Sequence, residues 1–126
     1  MKNIFWIILL LASCQSRTPI SIPNFDTESF KQDRGGCNNE RLKTFENLQA
    51  NKTKFLGTFE NQIFATLGRY DYQILDKKNE KIFVYFLERG PHCTQIQNPS
   101  QAQCMIIYLN SVSLVKEVVF QKGNPS

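Results

Sequence analysis

His92 is the only histidine of the chain and Cys93 follows it directly. An imidazole within reach of a thiol can hold it as thiolate and turn it into a nucleophile. Adjacent residues rarely aim their side chains at each other, however, and nothing nearby indicates a third group to orient the imidazole. A metal centre from His92, Cys93 and Cys104 lacks the close paired spacing of zinc ligands. Among the carboxylates, Asp33 and Glu40 stand near Arg34 and Arg41, and Asp33 with Arg41 reads as a structural clasp rather than an acid–base pair. Gly35-Gly36 is followed by Cys37, not by the Lys of a phosphate-cradling loop. The expectation is a non-enzymatic protein with no catalytic residue, no cofactor and no metal.

A different chemistry belongs to Cys14. Lys2 gives the terminus a positive head, residues 4–11 (IFWIILLL) are apolar, and Ala12 and Ser13 are small. This is the grammar of a signal peptide. Eight apolar residues fall far short of the ~20 that a helix needs to cross a bilayer. Leu11-Ala12-Ser13-Cys14 resembles the lipobox of bacterial lipoproteins, which implies cleavage before Cys14 and acylation of that residue. Two or three acyl chains, at about 0.8 kcal/mol per buried methylene, make attachment effectively stable. The expectation is a leader over residues 1–13, a lipidated tether over 14–24 and one domain over 25–126. The membrane lipid is then a partner through Cys14, and the location is the cell envelope. Gln15 is not the aspartate that retains lipoproteins in the inner membrane of enteric bacteria, which points to the outer membrane.

Of 126 residues, 15 are Lys or Arg and 11 are Asp or Glu, a formal +4 without any basic run. So diffuse a charge excludes nucleic acid as the expected partner, since that needs a clustered basic face. The residues behind the leader suffice for one domain and not for two. Three cysteines remain there, in what is expected to be an oxidising compartment, and an odd count permits one disulfide and one free thiol. Spacing does not choose the pair.

The elements that must position these groups fall in two halves. Asp26 caps a predicted helix that runs to about Asp33 and is broken by Gly35-Gly36. Asn38 or Asn39 then caps a second, in which Leu42, Phe45 and Leu48 recur at three-residue spacing. Thr58 is the predicted N-cap of a third, with Phe59, Ile63, Phe64 and Leu67 on its apolar side and Gly68 as its C-cap. Beyond Gly68 the period becomes 2. Tyr70, Tyr72 and Ile74 alternate with polar residues, residues 76–80 form a turn, and residues 81–88, 104–110 and 114–122 are rich in strand formers. Helices first and hairpins after predict an α+β fold, N-terminal helices packed on a three- to four-stranded antiparallel sheet. Along residues 82–87 both faces are apolar: Phe83, Tyr85 and Leu87 on one, Ile82, Val84 and Phe86 on the other. Either helices and loops wrap both faces, the favoured expectation, or one face is kept for a partner. For a protein partner, Tyr70, Tyr72, Phe83 and Tyr85 are the candidate contact residues, because tyrosine suits interfaces.

Residues 56–71 (LGTFENQIFATLGRYD), with Gly57, Thr58, Ile63, Leu67 and Gly68, resemble the helix-to-strand signature of small outer-membrane lipoproteins of the BamE/SmpA type. Tyr70 stands where that family has proline. The resemblance implies two helices on a three-stranded antiparallel sheet, as in β-lactamase inhibitory proteins, and a role through protein contacts in barrel assembly or envelope integrity. Residues 30–41 (FKQDRGGCNNER) and 85–93 (YFLERGPHC) are similar to small lipoproteins of Bacteroidetes-type bacteria. That likeness implies a Cys37–Cys93 disulfide with Cys104 free, against a competing Cys93–Cys104 pair. The alternative function on the same fold is a binding or inhibitory module that captures a periplasmic or surface protein.

Overall fold

The computed structural model describes residues 18–125. Cys14 and the leader lie outside the described residues. The order is α1 (Thr27–Gln32), α2 (Phe45–Ala50), α3 (Glu60–Leu67), then β1 (Tyr72–Leu75), β2 (Lys81–Phe86), β3 (Gln103–Leu109) and β4 (Val115–Lys122). All strand pairs are antiparallel and the sheet order is β1-β2-β3-β4, so the fold is α+β with a four-stranded meander.

Asp26 caps α1 as expected, its carboxylate accepting from the Glu28 and Ser29 amides. The second helix departs from expectation. Neither Asn38 nor Asn39 starts it; residues Leu42–Thr44 form a 3-10 turn that runs into α2, whose N-cap Thr44 does not cap the helix amides but donates its hydroxyl to Arg41 O. Three-residue spacing is the 3-10 repeat as much as a helical stripe, and here it leaves Leu42 exposed while Leu48 is buried. The cap of α3 falls at Phe59, one residue past Thr58, because Gln62 reaches back to accept from the Phe59 amide. Thr58 instead donates its hydroxyl to Phe55 O. Phe59, expected on the apolar side, is 42% exposed. Gly68 ends α3 at φ 77°, and a Cβ there would stand 2.9 Å from Lys31 Cγ, so helix stop and α1 packing both require glycine.

One sheet face carries the main core. Phe83, Tyr85 and Leu87, with Met105, Ile107 and Leu109, pack on Phe30, Leu48, Phe55, Ile63 and Leu67. Ile20 and Ile22 join that core, and the Ile20 amide donates to Thr66 Oγ1 at 2.7 Å. Ile20 and Ile22, expected within the tether, are therefore part of the domain, because two isoleucines gain more from burial than from a solvated linker. On the opposite face Val84, Phe86, Ala102, Cys104 and Ile106 are buried, while Tyr72, Ile74, Ile82, Tyr108 and Val119 are half-buried around them. The 87–102 connection covers the Phe86 end, where the His92 ring lies stacked on Phe86 at 3.6 Å. No helix among the described residues is long and apolar enough to cross a membrane.

Candidate functional site

The chemistry-bearing side chains converge where the α1–α2 connection meets the end of β2. Asp33, at the end of α1, accepts from the Asn38 amide at 2.8 Å and the Arg41 amide at 3.0 Å. Its carboxylate thus folds residues 34–41 into a compact loop. The Arg41 side chain, 1% exposed, turns inward. Its Nε donates to Phe30 O at 2.8 Å, and one terminal nitrogen donates to Asp71 Oδ2 at 2.9 Å and Phe86 O at 3.2 Å. The guanidinium also lies 4.4 Å above the Phe30 ring. Burial lowers the Arg41 pKa, and the charges of Asp71 and Asp33 offset only part of that. Asp71 completes the set by accepting from the Gly35 and Phe86 amides. One carboxylate therefore links the loop, the arginine and the sheet. The expected clasp exists, but the ionic partner of Arg41 is Asp71 rather than Asp33. Glu40 pairs with Lys43 on the surface.

Beside this hub lies the thiol and imidazole group. Cys37 and Cys93 form a disulfide that closes a sequence separation of 56 residues. His92 is 4% exposed and sandwiched: Phe86 stacks on it, and Gly35 and Gly90 approach so closely that a Cβ on Gly90 would meet Ser100 Oγ at 2.5 Å and His92 Nδ1 at 3.1 Å. Its Nε2 is 2.7 Å from Gly35 O. A carbonyl only accepts, so Nε2 carries the proton, and in the neutral ring Nδ1 accepts from the Ser100 hydroxyl at 2.9 Å. Nε2 also stands 3.5 Å from Cys93 Sγ. The 3-10 turn Pro91–Cys93 thus brings together two side chains whose adjacency argued against contact. Ser100 is the orienting third group that the sequence did not indicate. With the sulfurs bonded to each other there is no thiolate for the imidazole to activate.

The aromatic contact surface is corrected. Phe83 and Tyr85 are fully buried beneath the helices, and the Tyr85 hydroxyl donates to Gly68 O at 2.7 Å. Tyr70 is half-buried against that same core, its ring 4.8 Å from Phe83. Tyr72 lies on the opposite face with Ile74, Ile82, Tyr108 and Val119. The four do not share one face: Tyr70 precedes β1, and the pairing of Tyr72 with Val84 places Tyr72 on the Val84 face, across the sheet from Phe83. Cys104 is free and buried, and burial, with Asp71 and Glu88 adding to it, pushes its thiol up to about 12. Such a thiol is inert at neutral pH.

Ser100 carries no periodic or motif signal, and Asp71, Gly35 and Gly90 lie in the stretches that carry the resemblances without any sign there of these contacts. Only the close packing of three loops gives them roles. Comparison with known families, curated proteins and solved structures finds no match for this chain.

Proposed function

We propose that this is a lipid-anchored, non-enzymatic protein of the cell envelope that works by protein contact. The observation that carries the contact reading is the sheet face away from the helices. Across it run two rows, Ile74-Ile82-Tyr108 and Tyr72-Val84-Ile106-Val119, set by the strand register. Tyr72, Ile74, Ile82, Tyr108 and Val119 keep part of their surface accessible there. Two tyrosines flanking branched aliphatics give an apolar strip with polar tips, the composition that interface centres favour. The anchor reading rests on the resemblance of residues 11–14 to a lipobox. An outer-membrane location and a role in barrel assembly or envelope integrity rest on the BamE-type resemblance of residues 56–71.

The test is affinity isolation of the full-length protein from gently solubilised native membranes, compared with a Tyr72→Ser/Tyr108→Ser variant. The wild type is expected to retain a membrane-protein partner that the folded variant loses. A folded variant that keeps the same partner removes this face from the proposal. A soluble partner moves the reading to a capture or inhibitory module.

A further inference from the structure

The group formed by Cys37, Cys93 and His92 adjoins an open pocket, lined also by Arg34 and Asp71. One Sγ from each cysteine and one ring nitrogen of His92 all lie within 4.8 Å of one another. We propose that the dithiol form of this protein binds one thiophilic d10 cation, with Zn2+ as the reference ion. Its ligands are Cys37 Sγ, Cys93 Sγ and His92 Nε2, and the pocket supplies water as the fourth.

Three observations support the assignment. The separation of 3.5 Å between His92 Nε2 and Cys93 Sγ equals the N···S edge of a tetrahedral site, about 3.5 Å for Zn–N near 2.0 Å and Zn–S near 2.3 Å. The cysteine Cα atoms are 5.9 Å apart, so the sulfurs can open to the S···S edge of about 3.8 Å by side-chain rotation. Gly35 puts no side chain between the ligands, since a Cβ there would stand 3.0 Å from Cys37 Sγ and 3.8 Å from His92 Nε2, but its carbonyl, 2.7 Å from Nε2, has to turn aside for the ion to reach that nitrogen.

The imidazole has the partner that such a role requires. In the disulfide form Nε2 holds the proton and donates to Gly35 O. Metal binding displaces the Gly35 carbonyl from Nε2 and moves that proton to Nδ1, which then donates to Ser100 Oγ. A hydroxyl both donates and accepts, so Ser100 serves either tautomer, and in the metal-bound form it fixes the ring as a ligand's outer partner does. The redox step balances simply. A dithiol reductant passes two electrons and two protons to the Cys37–Cys93 bond and leaves as a disulfide; Zn2+ then displaces both thiol protons. Oxidation reverses this and expels the ion. The site is thus closed to metal while the disulfide stands.

The experiment uses the full-length chain in detergent, oxidised or reduced on an immobilised dithiol resin, with zinc chloride titrated against a chromophoric chelator. The reduced protein is expected to bind one equivalent at least 100-fold more tightly than the oxidised protein. Cys104→Ser is expected to leave binding unchanged, and His92→Gln to weaken it at least tenfold. Because the chain has one histidine, long-range 1H–15N NMR reads the tautomer without any substitution, and zinc is expected to convert Nε2–H to Nδ1–H. Equal affinity of the two redox forms overturns the proposal. So does an Nε2–H signal that persists with zinc bound, or a reduced chain whose lost chemical-shift dispersion zinc does not restore.

Discussion

Arg41 shows what a single residue contributes when it is buried whole. Its guanidinium satisfies two main-chain carbonyls and one carboxylate. Removing one member of such a buried pair typically costs 3–5 kcal/mol, because the partner is left charged and desolvated. Cys104 makes the opposite kind of contribution, that of a titratable group kept neutral. Its thiol is raised from 9.0 to about 12, chiefly by burial. A raised folded-state pKa stabilises the fold fully below the unfolded value and loses that stabilisation as pH rises towards the folded value. Stability is therefore expected to fall from about pH 9 upward by roughly 1.4 kcal/mol per pH unit for this one group. Tyr72, raised from 10.0 to about 12 by burial and by Cys104, adds to the decline above pH 10. Urea midpoints at pH 8, 9 and 10 measure it, and Cys104→Ala should flatten the step between 9 and 10. An unchanged step in that variant assigns the decline to another group.

At the level of elements, the short 3-10 turn Arg34–Gly36 matters more than its length suggests. Gly36 has φ +66°, and its Cα faces the β2 end so closely that a Cβ would lie 2.6 Å from both Glu88 N and Leu87 C. Backbone packs on backbone here, and the disulfide and the Arg41–Asp71 pair close the same seam. Gly57 provides the control, with φ +77° and nothing within 4 Å of a Cβ. Gly57→Ala is expected to cost only the left-handed strain, about 1–2 kcal/mol. Gly36→Ala adds overpacking of about 1–3 kcal/mol against atoms that cannot rotate away. Urea unfolding of the two variants separates the terms. Equal losses would mean that the close approach relaxes freely.

For the whole molecule, the burial of Ile20 sets how the domain meets its proposed anchor. Five residues separate Cys14 from Ile20, and an extended chain advances at most ~3.6 Å per residue. If Cys14 is acylated as proposed, the domain sits within about 20 Å of the lipid, in reach of membrane-embedded or membrane-apposed partners. Intact-mass and N-terminal peptide analysis of detergent-extracted protein should find a chain that starts at Cys14 and carries acyl mass there. A chain that starts elsewhere without lipid would sink the anchor. The disulfide acts at this scale too. Closing 56 residues of sequence is worth roughly 4 kcal/mol in the chain-entropy view, a large share for one domain of this size.

Much of the fold could be read in the residues themselves. The Asp26 cap, the Gly68 stop and the change of period after it are local signals, written over a few neighbouring residues. They are enough for helices first and an antiparallel sheet after. Alternation along β2 also separated Phe83 and Tyr85 from Val84 and Phe86 correctly. What alternation does not carry is which face the helices cover, so two of the expected contact residues proved to be core. The disulfide partner of Cys93 came from a family resemblance and stands in the structure, where spacing had left the pair open. The arginine's true partner, the serine behind the histidine and the glycines around its ring were decided by tertiary structure alone. Apart from Gly90, two residues before the histidine, these groups lie 8 to 57 residues apart in sequence, and only the closure of three loops on one strand end brings their hydrogen-bonding atoms within reach.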